Sequence, residues 1–485
     1  MTFGGLIGGT KFVSIANEMT ITRLPRRLTR AVPSFIRTPT RPDGAAPLPP
    51  VRGGGLARGF AAMRHRNYRI YWFGQIGSLV GAWMQSVAQP WLVLQLGGSP
   101  LQLGSVLAIM FAPSMVLAPI GGVLADRVDK RRTLMVVNVV AMLNALILFG
   151  LTITGVVQIW HLYILALSAG FVNAVEMPVR QSFAAELVPQ EDLVNAIALN
   201  STSFNLSRVI GPAIAGVVIA TLGVGIVFGL NALSYLSVLI GLWRLNPAAF
   251  RRIVRPDFFP SIRSSLSEGV RYAFSTPTVL WPLVLLGGMA TLAMNFQTLL
   301  PVFARDELAM DSSGYGALFA SMGAGSLLGS LMLGSLMLAF AARGRSMFGL
   351  IMGGGAVFLA AEIALGLVRS PLAAFGLVAG IGFASMLMVN TINVTVQNSV
   401  PDALRGRVMS LYVMVFAGTA PIGGLFAGAM AQAFGAPAAF VVGGSLAIGI
   451  LALVAWRLRN VEEPRGLAIE RELTPVSQRA ESRAA

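Results

Sequence analysis

Four ionisable side chains stand inside otherwise apolar runs of this chain: Glu176, Arg180, Arg208 and Glu362. Charge in such a run is costly to bury, so it is kept where it does chemistry or where a partner offsets it. Arg208 falls about fifteen residues into its run, near mid-depth of a membrane-long helix at ~1.5 Å per residue. A guanidinium offers five donors and does not shed its proton to escape burial. It therefore requires water in a central cavity, or else a structural carboxylate or carbonyl anchor. Glu176 and Arg180 lie one helical turn apart. With Arg208 they are candidates for proton coupling, Glu176 holding the proton; a plain (i, i+4) ion pair is the other reading. Glu362 is expected in the outer part of its run, facing the interface.

Covalent chemistry has little to work with. The chain has no cysteine, so it has no disulfide, thiolate nucleophile or cysteine metal site. Its two histidines, His65 and His161, lie at the edges of apolar runs. Intramembrane carboxylates are too few for acid–base pairs, and no nucleotide-binding loop is present. No metal and no cofactor are expected, and an enzyme is disfavoured. What remains is recognition of a small molecule. Gln75, Ser78, Gln85, Asn200, Asn205, Asn295, Gln297, Asn390 and Asn393 are candidate cavity groups, and Trp83, Trp91 and Phe296 could stack an aromatic or amphipathic ligand. Singly, each is as well explained as helix glue; together they suggest a cavity of mixed polarity.

The elements that must position these groups are apolar helices. Hydrophobic residues make up 55% of the 485 positions and charged ones 12%, against about 25% charged in soluble domains. Runs of ~20 apolar residues cross a bilayer as helices, because lipid cannot satisfy an open backbone. Twelve such spans are predicted, at 70–95, 103–124, 133–154, 159–181, 193–221, 224–243, 277–303, 313–340, 346–368, 371–396, 406–434 and 437–457. The net charge of +16 follows topology rather than nucleic acid. With both termini cytoplasmic, the inward connections collect the Arg and Lys, among them Arg127, Lys130, Arg244, Arg251 and Arg271, while the outward ones hold Arg305 and Arg369.

The expected organisation is two six-helix bundles, 67–243 and 277–458, joined by a cytoplasmic linker at 244–276. A basic, disordered N-terminal tail (1–66) and a polar C-terminal tail (459–485) flank them. In the linker, Ile262, Leu266, Val270 and Phe274 fall at helical spacing, suiting a helix on the membrane surface or an ordinary solvated one. An internal repeat supports the halves: at one common offset, Gly170-Phe171 matches Gly382-Phe383 and Val188-Pro189 matches Val400-Pro401. Both pairs bracket the turn from a fourth span to a fifth.

Between the second and third spans the chain reads GVLADRVDKRRT, from Gly122 to Thr133. This resembles the loop 2–3 motif of the major facilitator superfamily in Gly122, Asp126, Arg127, Lys130, Arg131 and Arg132, with Asp129 where a glycine is usual. The resemblance implies a cytoplasmic latch in which Asp126 pairs across the halves; simple topological anchoring is the alternative. The matching second-half loop, Ala341 to Arg345, lacks the acid. The stretch from Asn173 to Gly216, with Gln75, Trp83, Gln85 and Trp91, is similar to the siderophore-exporter-like branch, the transmembrane secretion effectors. Gly211, Pro212 and Gly216 resemble the span-five motif of facilitator antiporters, with Pro421 and Gly424 the counterpart in span eleven. They read either as hinges or as close packing. The resemblance implies an all-α membrane protein of twelve helices in two pseudo-symmetric bundles. It implies an inner-membrane exporter of a small molecule (siderophore, drug or amphipathic metabolite), working as a monomer by alternating access with proton antiport. An uptake permease of the same fold and a non-transporting receptor are the alternatives.

Overall fold

Backbone groups in lipid must bond within their own segment, and the described chain is accordingly helical from end to end. The computed structural model describes residues 60–251, 262–343 and 346–461; the side chains of 118–127, 262–266, 341 and 403 fall outside that description. Both tails lie mostly beyond it, as do residues 252–261 of the linker. Spans one to six are Arg66–Gln95, Pro100–Arg127, Lys130–Ile153, Ile159–Leu187, Leu193–Leu222 and Val224–Arg244. Span seven comes in two pieces, Pro277–Leu292 and Phe296–Asp306. Spans eight to ten are Ser312–Ala342, Met347–Leu367 and Pro371–Asn398. Span eleven starts as Asp402–Gly418 and resumes in Ala420–Leu458, a 39-residue run in which Gly435 (φ 84°, ψ 160°) leaves the helical region and begins span twelve. Twelve crossings put both described ends on one face, called here the terminal face; the opposite side is the far face.

Two spans differ from the continuous helices expected. Span seven breaks at 293–295, where the Asn295 side chain donates to the Thr291 carbonyl at 2.8 Å. Span eleven is interrupted at Thr419, whose backbone stays in the right-handed helical region (φ −83°, ψ −17°). Pro421, two residues on, has no N–H to continue the ladder. Hydropathy reads straight through both interruptions. Span one is the reverse case. It crosses as a full helix, yet it is absent from the segments apolar enough to span by composition. Asn67, Gln75 and Ser78 dilute its hydropathy, and all three are turned inward and buried.

The repeat runs far beyond the two matches visible in the loops. Gly223 (φ 89°, ψ 158°), which closes span five, stands in the first half where Gly435 stands in the second, and the two share one conformation. Gly170 of span four packs against the Met110 carbonyl of span two, and Gly382 of span ten against the Met322 carbonyl of span eight. Both members of the second contact are displaced from the first by that same offset. Gly211 lies against Val80 and Trp83 of span one, while Gly423 lies against Ala290 and Asn295 of span seven. One backbone plan has been built twice, giving two pseudo-symmetric six-helix bundles.

The linker helix, Ile262–Ser275, docks on the second half. Glu268 pairs with Arg407 at the start of span eleven, the Tyr272 hydroxyl donates to the Ser399 carbonyl at 2.9 Å, and Ala273 is buried. Of the expected apolar stripe, Val270 is half-buried and Phe274 points outward, 70% exposed; Ile262 and Leu266 lie outside the described side chains.

Candidate functional site

The halves meet along two seams of small residues. In one, Gly104 of span two faces Gly424 and Gly428 of span eleven; in the other, Gly216 of span five faces Ser312 and Gly316 of span eight. Gly104 with Gly428 and Gly316 with Gly216 are the same contact in its two copies, exchanged by the repeat. A Cβ added at Gly316 would sit 2.6 Å from both the Gly216 Cα and the Pro212 carbonyl oxygen, so only glycine allows this approach. Both seams lie toward the far face. There Trp91 stacks on Tyr315 (centroids 5.6 Å, planes 15° apart), and Arg305 donates from Nη1 to the Leu94 carbonyl at 3.2 Å. The far side is closed by rings, glycines and one hydrogen bond to a backbone oxygen.

Beneath this closure, at mid-depth, sits Arg208. Its backbone carbonyl touches Gly323 of span eight, its guanidinium lies 5.6 Å from the Trp83 ring centroid, and its Nε is buried with no hydrogen-bond partner among the described residues. Trp83 meets Phe204 edge-on at 5.6 Å and Phe319 of the second half at 6.4 Å. Phe204 packs on Trp83 and is still 41% exposed, and Met115, which approaches Gly418 across the other seam, is 46% exposed.

The structure distributes the other expected groups differently. Glu176 and Arg180 pair at 3.6 Å, the local ion-pair reading. Gln85 accepts from Asn231 of span six at 2.6 Å, inside the first half. Gln75, buried, donates to Tyr71, Ser78 is buried beside it, and Asn200 accepts from Tyr68. Asn205 donates back to the Ser201 carbonyl. Asn295 is buried in the span-seven break and Gln297 follows it, half-buried. Asn390 donates to Ser330 at 3.3 Å and Asn393 accepts from Gln397 at 2.6 Å. Phe296, expected to stack a ligand, is core, packed between Phe358 and Phe440. Glu362 also departs from expectation. It is fully buried rather than at the interface, next to Gly444 of span twelve, and both carboxyl oxygens lack a hydrogen-bond partner among the described residues.

Around the loop 2–3 motif, the described basic residues serve the first half. Lys130 is buried and bonds Glu186 at 2.6 Å. Arg131 donates to the carbonyls of Leu242 and Trp243, capping the end of span six. Arg132 lies 3.5 Å from Asp129 and is exposed. Asp129, the departure from glycine, caps span three by accepting from the Arg132 N–H at 3.0 Å. The side chains of Gly122, Asp126 and Arg127 lie outside the described residues, as do Gly344 and Arg345 of the second-half loop. The glycines Gly211, Gly216 and Gly424 all serve close helix approach, and Pro212 is carried within an unbroken helix. The interruption belongs to span eleven, beside Pro421.

Sequence reasoning missed Phe204, Tyr315, Phe319 and Arg305. The repeat offset, applied at every position, would have found the glycine seams; Tyr315 and Phe319 are brought in from the other half and Phe204 from another span of the same half, and none carries a local signal.

The family described as transmembrane secretion effector matches residues 57–478 of the chain. The multidrug efflux pump Tap of Mycolicibacterium fortuitum is 26% identical over 406 residues, covering 80% of this chain and 96% of that protein. The enterobactin exporter EntS of Escherichia coli is 28% identical over 403 residues, covering 80% and 92%. Among solved structures, a bacterial homologue of the human lysosomal transporter Spinster, inward-facing and unoccupied, is similar with a TM-score of 0.62 at 16% identity, over 84% of this chain and 96% of that one. That likeness speaks to the fold alone. The family match, the twelve crossings and the doubled bundle agree: the chain belongs to the transmembrane secretion effector family of major facilitator transporters, multi-pass membrane proteins and not enzymes.

Proposed function

We propose that this protein exports a small amphipathic molecule from the cytoplasm by alternating access, in antiport with protons. It works as a monomer in the inner membrane, with both termini cytoplasmic, so the far face is the outer one. The observation that carries the reading is the mid-depth cluster of Arg208 and Trp83 where the halves meet, with the paired glycine seams joining the halves toward the far face. In this reading a ligand entering from the terminal face stops at that cluster. Rocking the two halves about the Arg208–Gly323 crossing then presents the same cluster to the other side. The direction of transport is supported by the relatives, which are named as an efflux pump and an exporter.

Glu176 is the proposed coupling carboxylate. Its 3.6 Å contact with Arg180 is longer than a charge-assisted hydrogen bond of ~2.8 Å, so the two side chains are not locked together. Asp126 and Arg127, at the terminal end of span two, are proposed to latch the terminal face in the opposite state. The test is accumulation of a fluorescent amphipathic dye in cells lacking their own efflux pumps. Expression should lower accumulation and an uncoupler should restore it. Raised accumulation on expression would mean uptake instead, and indifference to the uncoupler would remove the antiport step.

A further inference from the structure

We infer that the side-chain cluster where spans one, five and eight meet is a binding site for a planar aromatic anion, with Arg208 taking the charge and Trp83, Phe204 and Phe319 the ring. The inference rests on reading the chain as a small-molecule transporter, and it names the ligand class.

Three observations converge. The guanidinium lies 5.6 Å from the Trp83 centroid and its buried Nε has no hydrogen-bond partner among the described residues. Glu176, the acid expected within the first half's spans, is engaged elsewhere, paired with Arg180. A cation held over a ring with a free donor is poised for an acceptor, and an anion satisfies both its charge and its hydrogen bond. The walls are aromatic on two sides, since Trp83 meets Phe204 at 5.6 Å and Phe319 at 6.4 Å. Phe204 is left 41% exposed within that cluster, a ring face available for stacking.

The third observation is where the repeat fails. The scaffold glycines are retained at matching positions: Gly211 with Gly423, Gly216 with Gly428, and Gly104 with Gly316. Phe204 has a counterpart too, Phe416, 40% exposed. Yet the residue matching Trp83 is Asn295, in the span-seven break, and the residue matching Arg208 is Ala420, at the span-eleven break. A cation needed to hold the bundle together would be required in both copies. Arg208 and Trp83 occur once, side by side, where the two halves face each other. That asymmetry marks them for a ligand rather than for the fold.

The test compares three ligands of one shape and different charge: 1-naphthoate, 1-naphthamide and 1-naphthylmethylammonium. Binding to the purified full chain in nanodiscs of zwitterionic lipid is measured by equilibrium dialysis. A charge-assisted hydrogen bond predicts naphthoate binding roughly 10- to 100-fold tighter than naphthamide, with the ammonium weakest. Arg208→Gln should remove the preference for naphthoate and leave naphthamide binding near its original value, while Trp83→Leu weakens all three. Equal binding of naphthoate and naphthamide to the unaltered protein overturns the inference without any variant. So does a preference that persists in Arg208→Gln protein of normal size-exclusion profile. Dye export by cells expressing the same proteins separates the two levels. Anion preference without export would strike the transport reading and spare the site; export without anion preference would strike the site alone.

Discussion

Replacing Gly316 by alanine should drive the far face open. The added methyl would sit 2.6 Å from the Gly216 Cα and 2.6 Å from the Pro212 carbonyl oxygen, where ordinary contact begins at 3.4 Å. Both neighbours are backbone within a helix and cannot swing aside, so spans five and eight must separate by about 0.8 Å at this point, the kind of overpacking that costs about 1–3 kcal/mol. Alternating states of a transporter differ by a few kcal/mol, so the penalty, borne only by the far-closed state, shifts their ratio roughly 5- to 150-fold. Gly428→Ala loads the second seam in the same way, its methyl falling 2.7 Å from the Pro100 carbonyl oxygen, and the double variant should shift further. The absence of cysteine gives a clean background for spin labels at Val156→Cys and Ser370→Cys, exposed far-face positions in opposite halves. Double electron–electron resonance should show the distance distribution moving longer in Gly316→Ala. Gly376→Ala, which meets nothing within 4 Å, should leave it unchanged. An unaltered distribution in Gly316→Ala, with unaltered thermal stability, would refute the reasoning.

Other perturbations follow from contacts already described. Lys130→Met leaves the half-buried Glu186 without its 2.6 Å partner, so detergent-solubilised protein should lose about 1–3 kcal/mol of stability, seen as a fall in melting temperature that Lys130→Met/Glu186→Met largely recovers. Glu362→Leu removes a buried carboxyl whose oxygens lack partners among the described residues; stability should rise or hold, by up to about 2 kcal/mol, and a clear loss in the same melting assay would mean the carboxyl has a partner. Asp311, on the far face before span eight, is held below its ordinary 3.8, first by the Gly314 N–H and then by the Ser313 hydroxyl. A depressed carboxylate contributes stability above its unfolded value and loses it as pH falls through the folded one. Asp311→Ala should therefore be less stable than wild type at pH 7, with the gap closing below about pH 4. Asp126→Asn should impair dye export with membrane insertion intact; normal export would remove the latch.

Much of the architecture was legible because lipid leaves few options. Apolar length located the crossings, basic residues collected in alternate connections, and two short matches at a common offset exposed the duplication. What hydropathy could not see were events confined to a residue or two: the breaks beside Asn295 and Pro421 in spans seven and eleven, and the Asp129 cap that stands where a glycine is usual. The candidate site was legible only in part. Arg208 and Trp83 stood out as a charge and a ring in apolar helices, but Phe319 reaches them from the other half, and nothing local to its sequence announces that. Glu362 was misplaced for a related reason. Position along a span predicts depth in the membrane, whereas the face a residue presents depends on which neighbours pack there.

The two kinds of contact in this molecule are also sorted by where they fall. Among the described residues, polar and ionic ties fall mostly within a half: Lys130 with Glu186, Gln85 with Asn231, Asn67 with Asn246, and Arg369 with Glu307. Between the halves lie glycine seams, the Trp91–Tyr315 stack, the Trp83–Phe319 contact, and the Arg305 bond to the Leu94 carbonyl. Separating a buried ion pair strands a charge and costs several kcal/mol. Separating glycines and rings forfeits dispersion contacts of ~0.1–0.2 kcal/mol per atom pair, which new neighbours can replace. Each half is therefore stiff while the seam between them is cheap to open. A duplicated chain that must rock needs that division, and the repeat supplies it by writing the same glycine crossing twice.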